Sequence, residues 1–227
     1  SEFESALQMQ EKIFLDSKSC YGDCHIYSLK KALRLIQTYF SLGLFKQMIR
    51  VSNYLSTSLE KLSSDDQMNF YIIMSQYYLK YQDNEMVLKI LLRAQKLIRK
   101  VSFQQLIDFQ NITMIYFFEI SDKKSAYEIG YDSYIRCKKN YGLRNINTLQ
   151  VISNLIILFL DYKDIRKYLI EYFDNILLII HQAYAISNIS ARRGYLIEFN
   201  KVYKILKSCV FERGFDDFLN YLFISKN

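Results

Sequence analysis

The sequence predicts an all-α protein, built as a solenoid of antiparallel helix pairs. Three observations carry that prediction. The 227 residues hold no proline and only six glycines, yet 51% are hydrophobic, with 20 tyrosines and 16 phenylalanines. Such a chain has ample core and little to interrupt a helix, which argues against a turn-rich β fold and against disorder. Secondly, the stretch Lys18–Met48 returns without a gap 120 residues later, at Lys138–Tyr168: Tyr21-Gly22 falls on Tyr141-Gly142, Ser28-Leu29 on Thr148-Leu149, Leu35 on Leu155, and Tyr39 on Phe159. Thirdly, the turn markers Gly43, Gln82, Ser121 and Lys163 lie 39, 39 and 42 residues apart. Near-regular two-helix units of roughly 34–47 residues are the signature of helical solenoids.

Taken in order, the first helix spans Glu4 to Ser19, with Phe3, Leu7, Ile13 and Phe14 at helical spacing. Gly22 ends it, free to adopt the left-handed conformation. Ser28 is the expected cap of a helix running to Ser41, with Leu29, Ala32, Leu33, Leu35, Ile36 and Tyr39 inward. After Gly43, Phe45–Leu62 is its partner. Ser63-Ser64-Asp65-Asp66 puts hydroxyls and carboxylates at the positive end of the next helix dipole. That helix carries Phe70, Ile73, Met74, Tyr77 and Tyr78, turns at Gln82-Asp83-Asn84, and pairs with Glu85–Lys100. Phe103–Ile120 and Ser125–Asn140 follow. Thr148 caps the next helix, which pairs with Asp164–His181. The pairs are thus 28–62, 66–100, 103–140 and 148–182, closed by a capping pair over 190–225 (Arg193–Val210, then Phe215–Ile224 after Gly214).

The net charge of +7 favours anionic partners. Cys20, Cys24, Cys137 and Cys209 come with no secretory leader, which points to free thiols in the cytoplasm. The most apolar run, Val151–Leu160, is about half the length of a membrane span. The opening Ser-Glu-Phe, residues 1–3, reads as a cloning remnant, and the chain as a piece of something longer.

The segment KKNYGLRNINTLQVISNLIILFLDYKD resembles the tetratricopeptide repeat (TPR), in the longer form found in kinesin light chains. The matching residues are Gly142, Thr148-Leu149, Asn154-Leu155-Ile156 and Phe159, with Lys163 in place of the turn glycine. The first copy offers Gly22, Ser28-Leu29, Arg34-Leu35-Ile36, Tyr39 and Gly43. The usual His-Pro before the threonine is missing, and isoleucine replaces the small residue after leucine in both copies. Only the third pair has the expected small residue in its second helix, Ala126. The resemblance implies a fold and a role in protein recognition, and no particular partner.

In that register the first helix of each pair lines a concave face. The positions so placed are Lys30, Arg34 and Gln37; Asn69, Gln76 and Lys80; Asp108, Asn111 and Glu119; and Gln150, Ser153 and Asn154. Asparagine and glutamine both donate and accept, so a row of them can hold an extended peptide by its backbone; the alternative is an ordinary solvated face. Lys96, Arg99, Lys100, Arg136, Lys138, Lys139 and Arg144 form an expected basic edge, suited to an acidic or phosphorylated segment or simply to helix C-termini. Leu79, Phe118 and Leu160 are candidates for an exposed apolar docking patch.

Cys20, Cys24 and His25 supply three potential ligands where structural zinc wants four, so no metal and no cofactor is expected. Two histidines without a nucleophile motif, and scattered glycines that form no phosphate loop, point away from catalysis. Nucleic acid is the weaker reading, because a core must consume most of the aromatic residues that could stack on bases. The expected function is a non-catalytic scaffold binding a peptide or helical segment of a protein partner. The rivals are a peptide-sensing domain of a transcription regulator and the helical accessory domain of a larger enzyme, such as a SET-type methyltransferase.

Overall fold

The computed structural model describes residues 2–159 and, beyond them, the helical residues Ile197, Asn200 and Lys204. The expected turn at Lys163, the helix 164–182, the capping pair, and Leu160, His181 and Cys209 therefore lie outside the described residues. Among the described residues there are helices and no strands. The α-helices are α1 (Glu2–Tyr21), α2 (Ile26–Ser41), α3 (Phe45–Ser56), α4 (Ser64–Lys80), α5 (Asn84–Gln95), α6 (Phe103–Glu119), α7 (Lys123–Tyr141) and α8 (Ile146–Leu158). The chain divides into two compact units, Ser1–Ile112 and Thr113–Asn227, with the division inside α6. In the first unit α2 packs on α1, α3 and α4, and α4 on α5; in the second α7 packs on α8.

The 39-residue period is written into the backbone of the turns. Gly43, Gln82 and Ser121 all take positive φ, at 72°, 56° and 66°. Each N–H bonds the carbonyl three residues back: Gly43 to Phe40 at 3.1 Å, Gln82 to Leu79 and Ser121 to Phe118 at 3.0 Å. Leu44 and Asp83 then reach back to Tyr39 and Tyr78, at 2.8 and 3.0 Å. This is the Schellman closure, which satisfies carbonyls that a helix end would leave orphaned. One residue on, Leu44, Asp83 and Asp122 serve as N-caps of the second helices, and the two aspartates accept from the N–H three residues ahead. Burial repeats with the same period: Met48, Val87 and Ala126 are each 0% exposed, and Leu55, Ala94 and Ser133 are buried two turns further along the same face.

Two kinds of connection join one pair to the next. After α3 and after α5 the chain makes a 3-10 turn, Leu59–Lys61 and Ile98–Lys100, and Ser63 and Ser102 then cap α4 and α6. Ser63 and Asp66 form a reciprocal cap: the Asp66 N–H donates to Ser63 Oγ at 3.2 Å, and that hydroxyl donates to the Asp66 carboxylate at 2.8 Å. The longer helices α1 and α7 instead end at a glycine with positive φ, Gly22 at 89° and Gly142 at 78°. Their glycine N–H groups bond Lys18 and Lys138 at 2.9 and 3.0 Å. His25 and Asn145 then cap the following helices, each accepting from the N–H two residues ahead.

These details correct several expected boundaries. Ser28 and Thr148 are not caps. They sit inside α2 and α8, fully buried, and Ser28 Oγ donates to the Ser17 carbonyl at 2.9 Å. α3 ends at Ser56 rather than Leu62, where Ser56 and Thr57 hydroxyls bond back to the Ser52 and Tyr54 carbonyls and compete with helix continuation. α5 likewise stops at Gln95, short of Lys100.

The 120-residue repeat is the α1–α2 corner recurring as α7–α8. Leu35 and Leu155 are 2% and 0% exposed, and Tyr39 and Phe159 are buried too. The copies differ in how the helices lock. Tyr39 Oη donates to Glu11 of α1 at 2.6 Å. In the second copy Gly130 lets α7 approach closely: a Cβ there would collide with Met114 Sδ and lie 2.6 Å from Leu155 Cδ2.

Candidate functional site

One face of α2 carries Tyr27, Lys30, Lys31, Arg34 and Gln37, the stripe opposite its buried residues, because positions three and four apart share a helix face. The first two turns of α4 bring Asp66 and Asn69 alongside. Together they line a groove of ≈ 330 Å³. Four residues expected from the sequence, Lys30, Arg34, Gln37 and Asn69, therefore meet in one place. Tyr27, Lys31 and Asp66 are additional.

The groove is positively charged. Lys30 Nζ lies 3.9 Å from an Asp66 oxygen that Ser63 also contacts at 2.8 Å. Lys31 Nζ sits 4.6 Å above the Tyr27 ring, a cation–π contact. Arg34 makes no ion pair among the described residues. A second hollow of ≈ 500 Å³, between α1 and α2, has Ala6, Leu7 and Gln10 on one wall and Arg34 and Gln37 on the other. Thr38 spans its floor, donating to Gln10 at 2.6 Å. Arg34 thus stands on the ridge between two concavities.

Other expected positions fall elsewhere. Asn111 is 7% exposed, with its side-chain oxygen unpaired among the described residues. Ser153 is fully buried and donates to the Leu149 carbonyl at 2.7 Å. Neither presents a side chain for a ligand. Lys80 reaches over the Phe45 ring at 4.4 Å, away from the groove, and Gln76 is half-buried on α4. Gln150 and Asn154 are half-buried on α8, at the positions 120 residues beyond Lys30 and Arg34. Asp108 is half-buried and accepts from Gln104 at 3.0 Å; burial raises its carboxyl above the ordinary value, and that hydrogen bond partly opposes the rise.

The basic residues are all exposed: Lys96, Arg99 and Lys100 in the first unit, Arg136, Lys138, Lys139 and Arg144 in the second. Arg136 is paired with Asp132 at 2.6 Å, and Lys138 lies over the Tyr134 ring at 5.6 Å. The two described members of the expected apolar patch are not fully exposed. Leu79 is half-buried, and Phe118 packs edge-on against Phe159 at 5.6 Å.

Cys20 and Cys24 are exposed free thiols, while Cys137 is buried. His25 Nδ1 is committed to its cap, and among the described residues no cluster of three potential metal ligands occurs. No helix among them is long and apolar enough to cross a membrane. The chain matches no known protein-family model and no curated protein sequence.

Proposed function

We propose that this chain is a non-catalytic recognition module of the cytoplasm, in which tetratricopeptide-like helix pairs stack as a solenoid and hold an extended segment of a partner protein against their first helices. One observation carries the reading. Lys30, Arg34, Gln37 and Asn69, picked out by repeat register, line the same groove between α2 and α4. Amide side chains there can pair with a peptide backbone, and the cations draw in acidic side chains. The basic residues from Lys96 to Arg144 add long-range attraction, which acts on association rate more than on residence time.

The test is selection from a random peptide library on the immobilised protein, followed by titration of the selected peptides against variants. Arg34→Ala and Asn69→Ala are each expected to weaken binding by about tenfold, the loss of one hydrogen bond to a charged group or its equivalent. Gln8→Ala, on the exposed face of α1, serves as the control. Selected peptides that bind both groove variants as well as the parent would place the peptide site elsewhere.

A further inference from the structure

The charge balance of the groove specifies its ligand more narrowly than "acidic". Lys30, Lys31 and Arg34 line it with a single carboxylate, Asp66. Asp66 is already engaged, by Ser63 at 2.8 Å and more distantly by Lys30. Three cations against one carboxylate leave two positive charges uncompensated. A carboxylate ligand would neutralise one of them. A phosphomonoester, which carries roughly −1.5 to −2 at neutral pH and three acceptor oxygens, matches both.

The donor set fits as well. The Arg34 guanidinium, on the ridge and without an ion pair among the described residues, offers a planar fork for two phosphate oxygens. Lys30 and Lys31 flank it as point charges, and the amides of Gln37 and Asn69 complete the lining. A nucleic-acid backbone fits less well. Each diester carries a single charge, and Tyr27, the groove's one aromatic ring, has Lys31 over one face at 4.6 Å and Tyr21 beside it at 5.2 Å. That ring is poorly placed to stack on a base.

We infer that the groove between α2 and α4 anchors a phosphorylated side chain of the partner, gripped by Arg34, Lys30 and Lys31. The inference rests on the groove being the peptide site, and the experiment separates the two. Three fluorescent nonapeptide pools, degenerate except for a central phosphoserine, glutamate or serine, are titrated by anisotropy at fixed salt. Inorganic phosphate and a single-stranded oligonucleotide are the competitors.

The phosphoserine pool is expected to bind about tenfold more tightly than the glutamate pool, the worth of an extra charge-assisted hydrogen bond or two. Arg34→Ala and Lys31→Ala should each erase that margin, and Arg34→Lys should restore part of it. Arg34 is exposed and Lys31 half-buried with its ammonium over the Tyr27 ring, so helix content read by circular dichroism should stay at the parent level. Inorganic phosphate should compete only at far higher concentration than the phosphopeptides. Equal binding of the glutamate and phosphoserine pools would overturn the phosphate anchor and leave the peptide groove standing. An oligonucleotide that displaces the peptides at lower concentration than phosphoserine peptides do would overturn it in favour of nucleic acid. Failure of all three pools to bind would remove the peptide groove itself.

Discussion

Gln82→Gly and Ser121→Gly are expected to stabilise the protein, whereas Gly43→Ala, at the equivalent turn, destabilises it. All three positions hold a left-handed residue at the end of a first helix. An L-residue pays roughly 1–2 kcal/mol for that conformation, while glycine costs about 0.4–1 kcal/mol through the freedom of its unfolded chain. Gln82 and Ser121 are exposed and their turns are closed by backbone bonds, so removing the side chain forfeits little. The net gain is about 0.5–1 kcal/mol for each. At Gly43 an added Cβ would meet nothing within 4 Å, so the penalty is the backbone's alone and of similar size with opposite sign. With a urea m-value of about 2–3 kcal/mol/M, each change moves the unfolding midpoint by roughly 0.2–0.5 M. Urea titration followed by circular dichroism reads the shift. Destabilisation by both glycine substitutions, with Gly43→Ala neutral, would mean that the three turns do not share the left-handed closure.

Three more outcomes follow from the packing. Gly130→Ala should lose about 1–3 kcal/mol to overpacking against Met114 and Leu155, partly offset by alanine's helix propensity of about 1 kcal/mol; thermal melts of Gly130→Ala with and without Met114→Ala should show the second change relieving the first. Tyr39→Phe should cost about 1–2 kcal/mol by breaking the bond to Glu11. Burial first, and Glu11 second, hold the Tyr39 phenol above its ordinary value, so its contribution is full below that value and is lost as pH rises past it; Tyr54 and Tyr77 are raised as well, so melts at rising alkaline pH should show a smaller loss in the variant than in the parent. Asp108 is also raised, chiefly by burial. Its contribution is full below the ordinary carboxylate value and falls away as pH climbs through the raised one. Asp108→Asn should therefore flatten the acid-to-neutral stability profile and leave the variant more stable than the parent near neutrality, as denaturant midpoints across that range would report.

The turns were legible because their chemistry is local: Gly43, Gln82 and Ser121 sit where apolar periodicity breaks. The caps misled because a hydroxyl before a leucine, as at Ser28 and Thr148, looks the same whether it opens a helix or lies buried in its first turn. His25, an uncommon cap, and Asn145 hold that role. α3 and α5 are shorter than the pattern predicts, because Leu59, Leu62, Ile98 and Val101 continue the apolar rhythm past the helix ends, and a 3-10 turn keeps Leu59 inside all the same. In the groove, register found Lys30, Arg34, Gln37 and Asn69. Lys31 and Tyr27 share that stripe at three- and four-residue spacing and could have been found by the same count. Asp66 was legible only as a capping residue, and its place at the groove depends on α4 lying beside α2. Asn111 and Ser153 are buried rather than outward; α6 and α8 carry polar residues on several sides, so the pattern does not say which polar position faces outward.

Stacked repeats make a direct geometric demand. Lys30, Asn69, Asp108 and Gln150 each stand 13 residues before a turn marker; the proposed solenoid requires them on four successive first helices, and neighbouring helices pack about 8–10 Å apart. Electron–electron dipolar spectroscopy between a spin label at position 30 and labels at 69, 108 and 150 in turn should give distances that grow by roughly 10 Å per repeat. A 30–150 distance no longer than the 30–69 distance would contradict the solenoid.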